Sequence, residues 1–110
     1  MRLPNGDRAI VDMVKLRHYC LSLEHPQGRY KARVFASAVA MTADDAEQLR
    51  QALLNAARTC DARPIRRDEY GQRYLLDFVL HGPAGEANVR SVWMVRHGES
   101  FPRLITCYVL

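Results

Sequence analysis

The chain lacks any apolar run that approaches a membrane span, and its first residues, MRLPNGDRAI, contain no apolar stretch of the kind that directs secretion. A cytoplasmic site of action with no membrane partner is expected. Cysteine is scarce and scattered: Cys20, Cys60 and Cys107 are odd in number and form no CxxC pair. They read as small apolar residues in a reducing compartment, with room for at most one disulfide. The histidines at positions 18, 25, 81 and 97 make neither an HExxH helix nor a Cys/His cluster, so no metal centre is expected. No P-loop or GxGxxG is present to cradle a nucleotide, and Ser22, Ser37, Ser91 and Ser100 never sit in a GxSxG elbow. A cofactor is therefore not expected either.

Lysine is almost missing too. Of the 16 basic residues only Lys15 and Lys31 are lysine, and the rest are arginine. Against 12 acids they leave a formal charge of +4, which favours phosphate-rich partners without requiring them. Guanidinium groups suit bidentate phosphate contacts, although a GC-rich genome produces the same bias. With 110 residues, 48% of them apolar, the chain is long enough for one core and too short for two domains.

The hydrophobic period divides residues 1–110, a single domain, into a helical half, 1–60, and a sheet half, 61–110. Asp12 caps a helix running to about Leu21, with Met13 or Val14, Leu16, Cys20 and Leu21 on its apolar face. A second helix begins near Tyr30, turns Ala32, Phe35, Ala36 and Val39 inward, and ends near Ala40. Thr42 opens a third through "TADD", whose carboxylates complement the helix dipole, with Ala46, Leu49, Leu53 and Ala56 on one face. After Cys60 the period becomes two. "ARPIRRDEY", "QRYLLDFVL", "ANVRSVWMVR" and "PRLITCYVL" read as four strands in meander order. The expected fold class is α+β: three N-terminal helices packed on one face of a four-stranded antiparallel sheet. If Val92 and Met94 face the helices with Ile105, Cys107 and Val109, then Ser91, Trp93, Thr106 and Tyr108 share the opposite, open face.

Between the first two helices lies "EHPQGRYKARVF", where His25, Arg29, Lys31 and Arg33 follow one another with no acid after Glu24. The residues alone fit either a solvated loop leading into a helix or an anion site. Metal-free cleavage of RNA needs groups of this kind: a base for the 2′-hydroxyl proton, an acid for the leaving oxygen, and cations beside the phosphoryl oxygens as charge develops. Histidine serves the first two roles near neutral pH, and an aromatic ring stacks on a neighbouring base. Trp93 is by residue type more at home in a core. His18, His81 and His97 read as structural or surface residues.

"HPQGRYKARVF" resembles the H-P-x-G-x-x-K-A-x-x-F motif of a family of small bacterial domains of unknown function, found alone or at the ends of larger effector and phage proteins. "RSVWMV" and "RLITCYVL" look like the same family, so the resemblance spans nearly the whole chain. More distantly, the helix and strand order resembles the barnase, EndoU, colicin and RelE group of metal-independent ribonuclease toxins. The colicin D-like tRNA nucleases within it use His and Lys from the helical part and a Ser-x-Trp on a strand. That resemblance implies His25 as general acid or base, Lys31 as the transition-state cation, and Ser91 and Trp93 as orienting residues. It further implies an endoribonuclease toxin acting on RNA, tRNA among the candidates, and neutralised by a cognate antitoxin or immunity protein. Arg29, Arg33, Arg66, Arg67, Arg103, Thr106 and Tyr108 are the expected RNA contacts. The rival expectation is a noncatalytic module that binds protein or RNA through its sheet edge or basic face. The oligomeric state is left open.

Overall fold

A computed structural model describes residues 1–110. The first secondary structure is a 3-10 turn, Gly6–Arg8, in a segment that pins itself to both ends of the sheet half. Arg2 bridges to Asp61, and Ile10 bridges in parallel to Arg103, with Ile10 N donating to Pro102 O and Leu104 N to Ile10 O. Leu3 and Val11 are buried on the way.

Asp12 caps the expected first helix, its Oδ1 accepting from Val14 N at 2.8 Å. Only Met13–Lys15, here α1, is α-helical; Leu16–Cys20 widens into a π-helical turn closed by Leu21 N donating to Leu16 O. The widening has a packing reason. Five residues of α-helix turn through about 500°, which would point Leu16 and Leu21 about 140° apart. In the wider turn both are buried, together with Cys20.

Helix α2, Arg29–Val39, buries Ala32, Phe35 and Val39, and stops where Ala40 adopts the left-handed conformation at φ 57°. Burial of Phe35 alone stabilises the fold by roughly 1.5–3 kcal/mol. Thr42 then caps the next helix as its sequence demands: Thr42 Oγ1 accepts from Asp44 N and Asp45 Oδ2 accepts from Thr42 N. One 3-10 turn, Ala43–Asp45, leads into α3, Ala46–Thr59, whose Leu49 and Leu53 are fully buried.

The strands β1, Arg63–Arg67, β2, Gly71–Gly82, β3, Gly85–Arg96, and β4, Arg103–Val109, form one antiparallel meander in the order β1-β2-β3-β4. The two long central strands pair from Gly71↔Arg96 to Gly82↔Gly85 around a Pro83-Ala84 loop. The edge strand β1 is exposed at every position, and its proline and arginines discourage pairing with another chain. No helix is long and apolar enough to cross a membrane.

The parity of β3 corrects one expectation. Leu76, Ser91 and Cys107 are cross-strand partners, and all are fully buried under the helices, as is Trp93. Val92 and Met94 therefore occupy the other face. The expectation failed because it put the hydroxyl outward, whereas Ser91 Oγ donates to Leu76 O at 2.7 Å and accepts the Trp93 indole N–H at 2.9 Å. Every polar atom of the pair is satisfied inside, so burial carries no desolvation penalty large enough to expel it. In β4 the register shifts between Leu104 and Thr106, so that Leu104 and Cys107 both turn inward.

Candidate functional site

The HPQG stretch acts as an N-terminal cap for α2 built on an imidazole. Ser22 Oγ accepts from the backbone N–H groups of Glu24 and His25, which turns the chain. His25 Nδ1 then accepts from Gln27 N and Gly28 N, each at 3.0 Å, satisfying two donors that a starting helix leaves orphaned. An Nδ1 that accepts twice carries no proton, so the neutral ring is the Nε2–H tautomer. Gly28 is required by proximity: a Cβ there would lie 2.3 Å from Tyr19 O. That close approach seats the loop on the π-helical turn, with the Tyr19 and His25 rings edge to face at 4.7 Å.

Two turns of chemistry meet at the free edge of β4. Lys31 reaches from α2 to Thr106, its Nζ donating to Oγ1 at 3.4 Å, with the ammonium 5.1 Å from the Tyr108 ring centre and 5.7 Å from that of Tyr19. Lys15 reaches from α1, donating to Ile105 O at 3.0 Å where the register of the strand shifts. Lys15, Tyr19, Lys31 and Thr106 line an open cleft of about 640 Å³ together with Asp12, His18 and His25. Asp12 is its one carboxylate, and the Oδ1 of that group is held by Val14 N. Two ammonium groups against one carboxylate, with imidazole rings beside them that can donate through N–H, leave the cleft net positive and make it a site for an anion. A neighbouring depression of about 540 Å³ shares His18 but sets Glu24 and Asp44 against Arg17, so its charge is not one-sided.

In the core, next in sequence to Tyr19 and Thr106, Cys20 and Cys107 are buried free thiols. The hydrogen bond from Cys107, with smaller pulls from Lys15 and Lys31, outweighs burial and lowers the Cys20 thiol to about 7. The same bond and burial push Cys107 up. The field of the two lysines thus reaches a thiol of the core.

Of the residues singled out in the sequence, His25, Lys31 and Thr106 come together here, with Tyr108 against the Lys31 ammonium. Ser91 and Trp93 do not; both are 0% exposed within the core, bonded to each other. Arg29 and Arg33 lie on the solvent side of α2, stacked on Tyr30 at 5.0 and 5.6 Å. Arg66 is paired with Asp68, Arg67 is exposed on β1, and Arg103 is held by both carboxylate oxygens of Glu99 at 2.9 and 2.8 Å. None of these five arginines lines the cleft. Sequence reasoning missed Lys15, His18 and Tyr19. Their signal was the spacing i, i+3, i+4, which puts three side chains on one face of a helix, opposite its apolar stripe.

The fold resembles a chain in a solved structure of a contact-dependent growth inhibition toxin and immunity protein complex from Klebsiella pneumoniae 342, with a TM-score of 0.67 and 19% identity. The match covers 92% of this chain and 99% of the other. No curated protein matches the sequence. A family model does, and it spans all the cleft residues and both halves of the fold: over residues 2–110 the chain belongs to the family described as "Domain of unknown function (DUF6883)".

Proposed function

We propose that the protein is a metal-independent endoribonuclease toxin domain, acting in the cytoplasm and restrained by a cognate immunity or antitoxin protein. The observation that carries this reading is the convergence of Lys15, Lys31, His18 and His25 in one open cleft with a single committed carboxylate. The fold neighbour is a chain of a toxin and immunity protein complex, which supports a role as one member of such a pair and a protein partner as the other.

In this reaction the 2′-oxygen of RNA attacks the adjacent phosphorus and the bond to the 5′-oxygen breaks, leaving a 2′,3′-cyclic phosphate and a 5′-hydroxyl. Negative charge grows on the phosphoryl oxygens. Lys31 faces that charge with an ammonium that Thr106 and two aromatic rings hold in position. His25 offers a fixed Nε2–H, because its Nδ1 is anchored on the helix backbone. Arg29 and Arg33, beside Tyr30 on the outer face of α2, serve as contacts to the RNA backbone beyond the cut. Arg67 has the same availability, whereas Arg66 and Arg103 would first have to leave their carboxylates. Ser91 and Trp93 act through the core and not on the RNA.

The second reading, a noncatalytic binding module, is favoured by one observation: the cap made by His25 Nδ1 explains the HPxG motif with no chemistry at all. Incubation of purified wild type, His25→Ala and Lys31→Ala with total RNA in EDTA separates the two. Wild type is expected to leave cyclic phosphate ends, and Lys31→Ala to cut about 10²- to 10³-fold more slowly, the cost of removing one charge-stabilising donor. Tight, salt-sensitive RNA binding with no cleavage by inhibitor-free wild type at any pH would overturn the nuclease in favour of the module. End mapping on the cleaved pool distinguishes tRNA from other targets.

A further inference from the structure

Cleavage by the 2′-hydroxyl needs a proton acceptor, and His25 is badly placed for that work. Accepting at Nε2 would move the ring proton to Nδ1, against the N–H groups of Gln27 and Gly28, and both capping bonds would be lost. The other polar groups of the cleft are no better. Lys15 and Lys31 are donors, each already bonded to β4, and Asp12 has Oδ1 tied to the cap of α1, which leaves only Oδ2 of a carboxylate, a weaker base than an imidazole.

We propose that His18 is the catalytic base of the cleft, an inference that rests on the ribonuclease reading above. His18 projects from the π-helical turn into the same 640 Å³ space as Lys31 and His25, is exposed, and has neither ring nitrogen engaged by the protein. Because Leu16 and Leu21 both bury, the turn that carries it is anchored on its opposite side. Turns of this kind recur at functional sites. The charged and titratable groups around it are Asp12, Lys15, Tyr19, His25 and Lys31 in the cleft, and Arg17, Glu24 and Asp44 in the adjoining depression.

The proton balance closes through solvent. As the 2′-oxygen to phosphorus bond forms, the 2′-proton passes to a ring nitrogen of His18. The bond from phosphorus to the 5′-oxygen breaks, water protonates the departing oxygen, and His18 returns its proton to the hydroxide left behind. Nothing is oxidised or reduced, and both lysines keep their charge throughout.

The test follows cleavage of a fluorogenic oligoribonucleotide in EDTA from about pH 5 to about pH 8, the range over which imidazoles change charge. His18→Gln is expected to lower kcat by about 10²- to 10⁴-fold, the usual contribution of a positioned base, and to abolish the acidic limb of the profile. Its thermal midpoint should stay that of wild type. Added imidazole should restore part of the activity of His18→Ala but none of that of Lys31→Ala. If His18→Gln keeps the acidic limb and near wild-type kcat while His25→Gln loses the limb, His25 is the base and the inference is overturned, with the ribonuclease intact. If wild type cleaves nothing, the ribonuclease reading falls and His18 has no such role.

Discussion

Two short stretches of this chain carry a polar residue beside an aromatic one, and they end in opposite places. His25 and Tyr19 frame a cleft at the rim of the sheet; Ser91 and Trp93 sit in the middle of the core. What separates them is how many hydrogen-bonding atoms are left over. Ser91 donates to Leu76 O and accepts the indole N–H of Trp93, and both residues are fully buried, so the pair offers nothing a ligand can reach. His25 uses one ring nitrogen on the α2 cap and keeps the other. A motif is available for chemistry only to the extent that the fold has not already consumed it.

The comparison breaks most visibly at Trp93. Trp93→Ala is expected to cost about 3–5 kcal/mol, read as a drop in the denaturant midpoint, because the core closes poorly over the lost ring. Ser91→Ala, which leaves the indole N–H unpaired, should cost less, about 1–3 kcal/mol. Were either to lower RNA cleavage with stability unchanged, the buried pair would have a part in the chemistry after all.

Next in size is Gly28→Ala. The new methyl would collide with Tyr19 O, and overpacking of this sort costs about 1–3 kcal/mol. The contact joins the loop to the π-helical turn, so the ring signals of Tyr19 and His25 should shift together in NMR spectra. A shift confined to His25 would show that the two halves of the cleft wall are independent.

The smallest effect belongs to a pair on the sheet face away from the core. Asp77 and Arg90 are cross-strand partners joined by two 2.9 Å hydrogen bonds, and the bond from Arg90 holds the Asp77 carboxyl below its usual value. A depressed carboxylate stabilises the fold above the unfolded-state value, near 4, and loses that contribution as pH falls through the depressed one. Both side chains remain partly exposed, so the gain is small. Asp77→Asn should melt slightly below wild type at pH 7, and the two curves should merge in strong acid. A gap that widened on acidification would reverse the assignment.

Much of the fold was legible in the sequence because local rules agreed with one another. The N-cap at Thr42 and the inward rows of α2 and α3 all followed from spacing. The rows of β3 did not, since hydroxyl and indole groups that satisfy each other are invisible to a polarity pattern. The π-helical turn was equally hidden: nothing in Leu16 and Leu21 announces that both will be buried until the sheet lies beneath them. His25, Lys31 and Thr106 were singled out through resemblance and period, and the fold brings them to one cleft. Lys15 and His18 escaped because each looked like an ordinary solvated helix position, and only the β4 edge turns that surface into a wall. Arg66 and Arg103 are already paired with Asp68 and Glu99, which one sequence does not reveal.

The contact of Gly28 with the Tyr19 carbonyl bears on how such a domain is transplanted or diversified. The eleven-residue signature is not an autonomous cassette: its glycine is shaped by a residue upstream and its lysine is aimed by a strand seventy-five residues downstream. Moving the signature alone into another scaffold would carry the letters without their meaning. The smallest inheritable unit runs from Asp12 through α2 and includes β4, so recombination that separates the chain's two ends would dissolve the cleft while sparing the motif.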